Sequence, residues 1–241
     1  MAFRRFYLES KPGGDIAHLE GDEAHHARDV IRLKAGDEAL LFDGSGVEYH
    51  ARVESMQREK VTFRILGISR TDPASPVHLV TACSVVKPKA MDLLVQKCTE
   101  LGVTELWPCV SARTSIKVSL GDESKAEKWR RVAIEAAKQC GRNTLPTIRP
   151  VASFRDVLKA ACEAELKLLL SLEAGSRPLR DCLTGQPKTL CILIGPEGGL
   201  EPAEDKAAQD AGFHPASLGP YTLRAETASI AAAAAVLFRY V

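Results

Sequence analysis

The chain has 241 residues, of which 45% are hydrophobic and 26% charged, and its net charge is +1. This composition is typical of a soluble globular protein with one large domain or two smaller ones. No apolar run approaches the roughly 18 residues of a membrane span, and the N-terminus lacks the apolar segment of a signal peptide. The seven cysteines and six histidines have neither zinc nor disulfide spacing. We therefore expect a cytoplasmic protein with reduced thiols, no metal and no membrane contact.

The first part of the chain has the pattern of short β-strands. Over residues 36–66, apolar and polar side chains alternate with a period of two, and Asp43-Gly44 supplies a turn. A helix is expected over residues 22–32. Two prolines in residues 70–76 indicate a linker. The pattern predicts a small β-barrel that ends near this linker.

After the linker, apolar runs alternate with helical patterns. Strands are expected at 77–86, 103–110, 166–172 and 190–194. Helices are expected at 91–101, after Asp122, and at 154–161, 201–211 and 225–240. Alternating strands and helices predict a mostly parallel sheet that is covered by helices.

The sequence IGPEGGL, residues 194–200, follows an apolar strand and precedes a helix that begins at Glu201-Pro202. Ligands of open α/β sheets bind beyond the carboxyl ends of the strands, and glycines let the backbone approach them closely. The GK[ST] and GxGxxG patterns are missing, which disfavours a diphosphate ligand. A nucleoside-type cofactor and a plain glycine turn both remain open from this segment alone.

A second strand-to-helix loop, LGPYTLRAETA, occupies residues 218–228. Arg224 and Glu226 lie at the entrance of the following helix, where the helix dipole favours a carboxylate and Thr227 can satisfy free N–H groups. That helix is rich in alanine and is suited to close packing against another helix or a second subunit.

The positive charge is concentrated in the middle of the chain, where residues 73–150 hold 12 basic and 7 acidic side chains. This region is the best candidate for contacts with nucleic-acid phosphates, although a solvent-exposed face has the same composition. Lys89 and Gln96 fall on the polar side of one predicted helix, and Gln139 and Arg142 fall at the end of another.

Five motifs in chain order resemble those of the bacterial 16S rRNA uridine-N3 methyltransferases, the RsmE family of the SPOUT superfamily. They are KPK, QKCTELGV, KQCGRNTLP, IGPEGGL and LGPYTLRAETA. The resemblance runs from about residue 3 to the C-terminus. It implies a PUA-like β-barrel over residues 1–72 that binds RNA, and an α/β trefoil-knotted SPOUT methyltransferase domain over residues 73–241. It also implies a homodimer with its sites at the interface, S-adenosyl-L-methionine as the cofactor, and uridine 1498 of 16S rRNA in the small ribosomal subunit as the target.

The resemblance also implies roles for individual residues. The cofactor would be held, largely by backbone atoms, at Leu172, Ile194, Gly195, Pro196, Glu197, Gly199, Leu218, Gly219, Leu223 and Thr227. RNA would be held by Arg4, Arg5, Lys87, Lys89, Gln96, Gln139 and Arg142. Arg224, Glu226 and Thr227 would face the reacting centre. Because uracil N3 carries a proton, we expect Arg224 to stabilise charge on a uracil carbonyl oxygen and Glu226 to accept the proton, directly or through water.

The chain departs from the family pattern at three positions. Tyr221-Thr222 stands in place of Arg-Ile, and Ala225 stands in place of Thr, which removes a hydroxyl near the site. Two other functions fit parts of the sequence. One is a SPOUT ribose 2′-O-methyltransferase, although those families carry an Asn-rich final motif. The other is a non-catalytic RNA-binding protein that uses the barrel and the basic middle third.

Overall fold

The computed structural model describes residues 4–171, 173 and 175–240. It divides into two compact units, the first formed by Met1–Ala74 with Ala137–Leu145 and the second by Ser75–Ala136 with Pro146–Val241. Most of the KQCGRNTLP motif therefore clusters with the N-terminal unit, although it lies far along the chain. Among the helices described, none is long and apolar enough to cross a bilayer.

The first unit is a five-stranded sheet. Its strands are β1 (Arg4–Tyr7), β2 (Ile16–Glu20), β3 (Glu38–Phe42), β4 (Val47–Met56) and β5 (Lys60–Thr71). They lie in the order β1-β3-β4-β5-β2, with β1 and β3 parallel and the remaining pairs antiparallel. Helix α1 (Gly21–His25) continues into a π-helical turn, His26–Val30, where the sequence predicts a helix.

The alternation along these strands builds the core of the first unit. Ala51 and Val53 of β4 and Val61 and Phe63 of β5 are buried, whereas their neighbours Arg52, Glu54 and Arg64 are exposed. Strand β5 is longer than predicted because its end pairs with the start of β4, Thr71 opposite Val47. The beginning of the predicted linker is therefore strand, and its backbone groups are paired.

The second unit is an α/β layer structure. Its strands are β6 (His78–Ser84), β7 (Glu105–Val110), β8 (Thr147–Ile148), β9 (Ala152–Ser153), β10 (Leu166–Leu170), β11 (Arg177–Pro178), β12 (Thr189–Ile194) and β13 (His214–Ser217). Its helices are α2 (Pro88–Leu101), α3 (Glu123–Cys140, whose last turn clusters with the first unit), α4 (Phe154–Ala160), α5 (Leu179–Cys182), α6 (Pro202–Asp210) and α7 (Ala225–Tyr240), with a 3₁₀ turn at Ala161–Glu163. The sheet order is β11-β13-β10-β12-β6-β7-β8, β9 also pairs with β7, and all these pairs are parallel. The predicted parallel sheet is confirmed.

Helices cover both faces of this sheet, so its central strands are apolar on both sides. In β12, Ile192 and Ile194 join the core cluster that contains residues of α2 and α7, while Cys191 and Leu193 join the cluster that contains residues of α4 and α6. Two-sided burial explains why the sequence shows an unbroken apolar run here and not an alternation.

The helix ends are capped by residues close to them in the sequence. Gly102 ends α2 with a φ of 106°, a left-handed conformation that glycine adopts without strain. The Asp122 carboxylate accepts a hydrogen bond from the Lys125 backbone N–H at 3.2 Å and caps α3. Helix α6 begins with a capping box between Glu201 and Glu204.

The cysteines are free thiols, and five of them are buried. Burial raises the pKa of Cys98, Cys109 and Cys191 to about 12 in each case. These three thiols therefore stay protonated and pack as small hydrophobic side chains.

Candidate active site

A cavity of about 400 Å³ opens at the carboxyl edge of the sheet in the second unit. Strands β12, β10 and β13 are neighbours there, and the segments that follow each of them line the cavity. Its wall consists of Leu170, Ser171, Glu173, Ile194, Gly195, Pro196, Glu197, Gly199, Leu200, Asp205, Ala216, Leu218, Tyr221, Thr222, Leu223, Ala225 and Ala228. The position is the one where open α/β sheets bind their ligands.

The first wall of the cavity is the loop 194–200, and two of its glycines are needed for its shape. A Cβ atom on Gly195 would lie 3.1 Å from the Leu200 Cγ atom and 3.3 Å from the Leu200 backbone nitrogen. Gly199 has a φ of 70°, and its N–H donates to the Pro196 carbonyl at 2.9 Å, which closes the turn. The loop is therefore tightly folded, with its backbone facing the cavity.

Residues from the loop after β7 hold this wall in place. The Arg113 Nη1 atom donates to the Gly198 carbonyl at 3.0 Å, and the Ala112 N–H donates to the Glu204 carboxylate at 2.8 Å. Glu204 also accepts a hydrogen bond from the Glu201 N–H at the start of α6. Sequence reasoning missed Arg113, because no local motif connects it to a loop 85 residues later in the chain.

The second wall is the loop between β13 and α7. The Ser217 hydroxyl hydrogen-bonds both the N–H and the carbonyl of Gly219, whose φ is 136°. The first turn of helix α7 contributes two small residues to the cavity wall, Ala225 and Ala228. The methyl group of Ala225 is buried in this wall.

Seven of the residues predicted to bind a cofactor line this cavity. They are Ile194, Gly195, Pro196, Glu197, Gly199, Leu218 and Leu223. Gly219 lines a neighbouring cavity of about 640 Å³ instead. Leu172 lies outside the described residues.

The structure places Thr227 away from the predicted cofactor contact. It is exposed and lines a groove with Leu101 of α2 and Ile230 of α7. The reason is helical geometry. Successive residues turn by about 100°, so Thr227 points about 200° away from Ala225, which lines the cavity.

The two predicted catalytic residues flank the start of α7. Arg224 is exposed and lies between two cavity-lining residues, Leu223 and Ala225. Glu226 is only 8% exposed, and its carboxylate has no hydrogen-bond or ion-pair partner in the described part of the chain. The helix dipole favours a negative charge in this first turn. An exposed cation and a buried carboxylate thus precede and follow the cavity-lining Ala225, while neither of them belongs to the cavity wall itself.

Other polar residues of the cavity wall were not expected from sequence. Tyr221 and Thr222 belong to the second loop, and Asp205 reaches the cavity from α6, where it accepts a hydrogen bond from the Gln209 side chain. Among the described residues, no group of three or more His, Cys, Asp or Glu side chains could hold a metal ion.

The predicted RNA-binding lysines of the second unit lie at the N-terminus of α2. Lys87 occupies the N-cap position, Lys89 follows in the first turn, both are exposed, and that turn has no acidic residue. The helix dipole disfavours cations at this end, so the lysines do not stabilise the helix. Together with the free N–H groups of the turn they can bind a phosphate. Gln96 is exposed on the same helix.

Arg5, predicted to bind RNA, is held inside the first unit. Its Nε atom donates to the Glu48 carboxylate at 2.8 Å, and the two side chains are 11% and 7% exposed. Its Nη1 atom donates to the Ala137 carbonyl at the end of α3 at 2.6 Å, and Nη2 donates to the Asn143 side chain. The guanidinium also lies over the Phe42 ring at 4.5 Å. Arg5 thus ties residues 137–145 to the sheet.

The other candidate RNA contacts of this unit differ from Arg5. Arg4 and Gln139 are exposed. Arg142 is half-buried, its Nε atom donates to the Thr144 hydroxyl at 2.8 Å, and burial lowers its pKa. Arg4 and Gln139 therefore offer the freer surface for a nucleic acid.

Comparison with known families agrees with this architecture. A family model described as an RNA methyltransferase domain matches residues 73–237, and one described as an RNA methyltransferase PUA domain matches residues 19–66. With the parallel sheet and its two-loop cavity, these matches define the class of protein. It is an α/β SPOUT methyltransferase domain preceded by a small PUA-like β-barrel.

Individual relatives narrow the class. The chain is 29% identical to ribosomal RNA small subunit methyltransferase E of Bacillus subtilis over 232 residues, 92% of this chain and 89% of that protein. The structure of that enzyme from Neisseria gonorrhoeae, bound to S-adenosyl methionine, is 30% identical, with a TM-score of 0.88 and coverage of 99% and 98%. A Legionella pneumophila methyltransferase in complex with the same cofactor is 31% identical, with a TM-score of 0.88 and coverage of 98% and 97%. The chain belongs to the ribosomal RNA small subunit methyltransferase E family.

Proposed function

We propose that this protein methylates N3 of uridine 1498 in 16S rRNA of the small ribosomal subunit, with S-adenosyl-L-methionine as the methyl donor. The observation that carries the proposal is the two-loop cavity at the ends of β12 and β13, in a chain whose relatives are named for methylating small-subunit RNA. The buried Glu226 and exposed Arg224 beside this cavity support chemistry on a base that carries an N–H proton.

The cavity fits a nucleoside-type methyl donor. Its volume of about 400 Å³ lies within the range of small-molecule sites, roughly 300–1,000 Å³. Its walls are mainly aliphatic side chains and the glycine backbone of loop 194–200, which suit an adenine ring and a ribose better than a diphosphate. When bound, the cofactor supplies an electrophilic methyl group on a sulfonium centre.

The chain's own residues would prepare the base. Uracil N3 carries a proton that must leave as the new N–CH₃ bond forms, and Glu226 is suited to accept it directly or through a water molecule. The negative charge that develops on the adjacent carbonyl oxygen is stabilised by Arg224, whose guanidinium stays charged. Because N3 lies on the pairing edge, the uridine reaches the cavity only when it is unpaired or extruded.

Each unit, taken by itself, offers candidate contacts for RNA. Lys87 and Lys89 at the start of α2 are suited to phosphates, and Gln96 lies on the same helix. Arg4, Gln139 and Arg142 extend the candidate contacts to the first unit. The internal contacts of Arg5 support a positioning role for it in this surface.

We also propose that the protein is a homodimer that acts in the cytoplasm, and that its second unit carries the trefoil knot of the family. Phe238 of α7 is 93% exposed, and Ile230, Ala231 and Ala234 of the same helix line a groove of about 510 Å³, which Leu101, Thr227, Lys97 and Glu100 complete. An apolar helix face of this kind is stabilised when a second copy of the chain covers it. The free thiols support a reducing compartment.

Nucleoside analysis tests the reaction. The purified protein is incubated with unmodified small ribosomal subunits and methyl-labelled S-adenosylmethionine, and the RNA is digested for mass spectrometry. We expect 3-methyluridine as the labelled nucleoside. A label on the ribose would instead support a 2′-O-methyltransferase. The absence of both transfer and saturable cofactor binding in calorimetry would support a non-catalytic RNA-binding protein.

A further inference from the structure

Tyr221 is a large aromatic residue whose exposure the fold does not explain. It is 79% exposed, whereas the other three tyrosines of the chain are buried or half-buried. In the described part of the chain its ring has no aromatic, hydrogen-bond or ion partner. A tyrosine ring usually buries 150–250 Å² of surface, roughly, so this one forgoes a substantial hydrophobic stabilisation.

The position of the ring connects its exposure with the cavity. Tyr221 lies in the loop after Gly219 and lines the cavity together with Thr222 and Leu223, both of which are also exposed. The inner wall is formed by buried aliphatic residues such as Ile194 and by the glycine loop. These inner walls are suited to enclose the cofactor. Tyr221 instead forms the rim and keeps a ring face open to a second molecule.

We propose that Tyr221 stacks on the extruded uracil and so acts as a base-recognition residue, an inference that rests on the function proposed above. An extruded base must leave its neighbours in the RNA and loses their stacking, and an aromatic side chain restores it. The phenol ring presents a flat apolar face without adding charge beside Arg224.

The cofactor's adenine is the other candidate for stacking on Tyr221, and stacking on adenine and stacking on uracil have different consequences. If the Tyr221 ring stacked on the cofactor's adenine, it would increase cofactor affinity even in the absence of RNA. If the Tyr221 ring stacks on the uracil, it contributes to RNA methylation and not to cofactor affinity. Removal of the ring therefore separates them, provided that cofactor binding and RNA methylation are measured on the same variants.

The test compares Tyr221→Phe with Tyr221→Leu in the full-length protein. We expect Tyr221→Leu to lower kcat/KM for unmodified small ribosomal subunits about 5- to 150-fold, the equivalent of ~1–3 kcal/mol per stacked base. The dissociation constant for S-adenosylmethionine, measured by calorimetry, should stay within about twofold of wild type. Tyr221→Phe keeps the ring and should retain activity. Because the side chain is exposed, neither change should alter the melting temperature.

Three results would overturn the stacking proposal. The first is unchanged kcat/KM in Tyr221→Leu while the wild type forms 3-methyluridine, which leaves the proposed function intact. The second is an equal loss of cofactor affinity, which would place the ring on the cofactor. The third is a change of oligomeric state in light scattering, which would place it against a second copy of the chain. If the wild type forms no 3-methyluridine on the same subunits, both proposals fall together.

Discussion

Two arginine-bearing segments of the molecule use charge in opposite ways. In the first unit, Arg5 donates to Glu48, to the end of α3 and to Asn143, so its charge is neutralised and its hydrogen-bonding groups are engaged. In the second unit, Arg224 is exposed beside a cavity, and Glu226 two residues later is buried without a partner for its carboxylate in the described part of the chain. Both segments contain residues that a motif comparison marks as functional.

The difference shows what decides the role of a charged motif residue. A guanidinium whose donors are engaged by protein groups stabilises the fold, whereas an exposed one beside a cavity can stabilise charge on a ligand. The same contrast separates the KQCGRNTLP motif from the IGPEGGL motif. Asn143 binds Asp72 and Arg5 within the first unit, while IGPEGGL presents backbone to the cavity. Four predictions test this division, from the largest expected effect to the smallest.

Removal of the Arg5 side chain should have the largest effect on stability. Arg5→Ala leaves Glu48 buried without its cation, and breaking such a pair costs about 3–5 kcal/mol of unfolding free energy. Arg5→Lys should recover little of this, because an ammonium cannot reproduce the forked donor geometry. Urea denaturation monitored by circular dichroism measures the change.

Arg4 provides the matched control for Arg5. It is the preceding residue and is exposed, so Arg4→Ala should alter stability by less than about 0.5 kcal/mol while weakening RNA binding. Equal stabilities of the Arg4 and Arg5 variants would remove the structural role that we assign to Arg5.

Arg224→Ala should lower the rate of a single turnover by about 10²–10³-fold, or ~2.7–4 kcal/mol, the usual cost of removing one donor that stabilises transition-state charge. Cofactor affinity and melting temperature should not change, since the side chain is exposed and lies outside the cavity wall. Rapid-quench methylation with excess enzyme measures this rate. A rate for Arg224→Ala equal to that of the wild type would remove Arg224 from the chemistry.

Two glycines of the same loop should respond differently to alanine. At Gly195 the new Cβ would lie 3.1 Å from the Leu200 side chain and 3.3 Å from its backbone nitrogen, whereas at Gly198 the nearest atoms, on Arg113, are 3.7 Å away. Gly195→Ala should distort the cavity wall and weaken S-adenosylmethionine binding about tenfold, or ~1.4 kcal/mol. Gly198→Ala should bind almost as the wild type. Calorimetry measures the affinity of both variants for S-adenosylmethionine. Equal affinities would contradict the role of Gly195 in shaping this wall.

The smallest expected effect is at the opposite edge of the sheet, away from the site. Burial acts to raise the pKa of Glu105, but hydrogen bonds from Trp107, Arg149 and His78 outweigh it and hold that pKa below the usual range. A lowered pKa stabilises the fold above the unfolded-state pKa, and this stability is lost as the pH falls through the folded-state pKa. Glu105→Gln should therefore flatten the acid side of the stability curve below about pH 4.3. A parallel downward shift of the whole curve would contradict this assignment.

Much of the fold is predictable from sequence because its signals are local. The alternation in β4 and β5, the unbroken apolar run of β12, and the caps at Gly102, Asp122 and Glu201 each report burial or hydrogen bonding within a few residues. The extension of β5 to Thr71 was missed, since its stabilising partner is a strand that begins 24 residues earlier in the chain.

The candidate site was predictable where a loop carries its own signal and not where it is assembled from distant segments. Loops 194–200 and 218–224 follow strands and contain glycines, so they were found. Arg113 and Asp205 reach the site from other elements and carry no motif. The placement of Thr227 and the internal contacts of Arg5 depend on helix rotation and tertiary partners, which a motif comparison does not provide.

Primer extension on modified RNA tests the central claim most directly. A methyl group on N3 removes the pairing proton of uridine, so reverse transcriptase should stop one nucleotide before uridine 1498 on subunits treated with protein and S-adenosylmethionine. We predict a stop at that single position, absent when the cofactor is omitted. Methyl incorporation without a stop, or a stop at another position, would contradict the account.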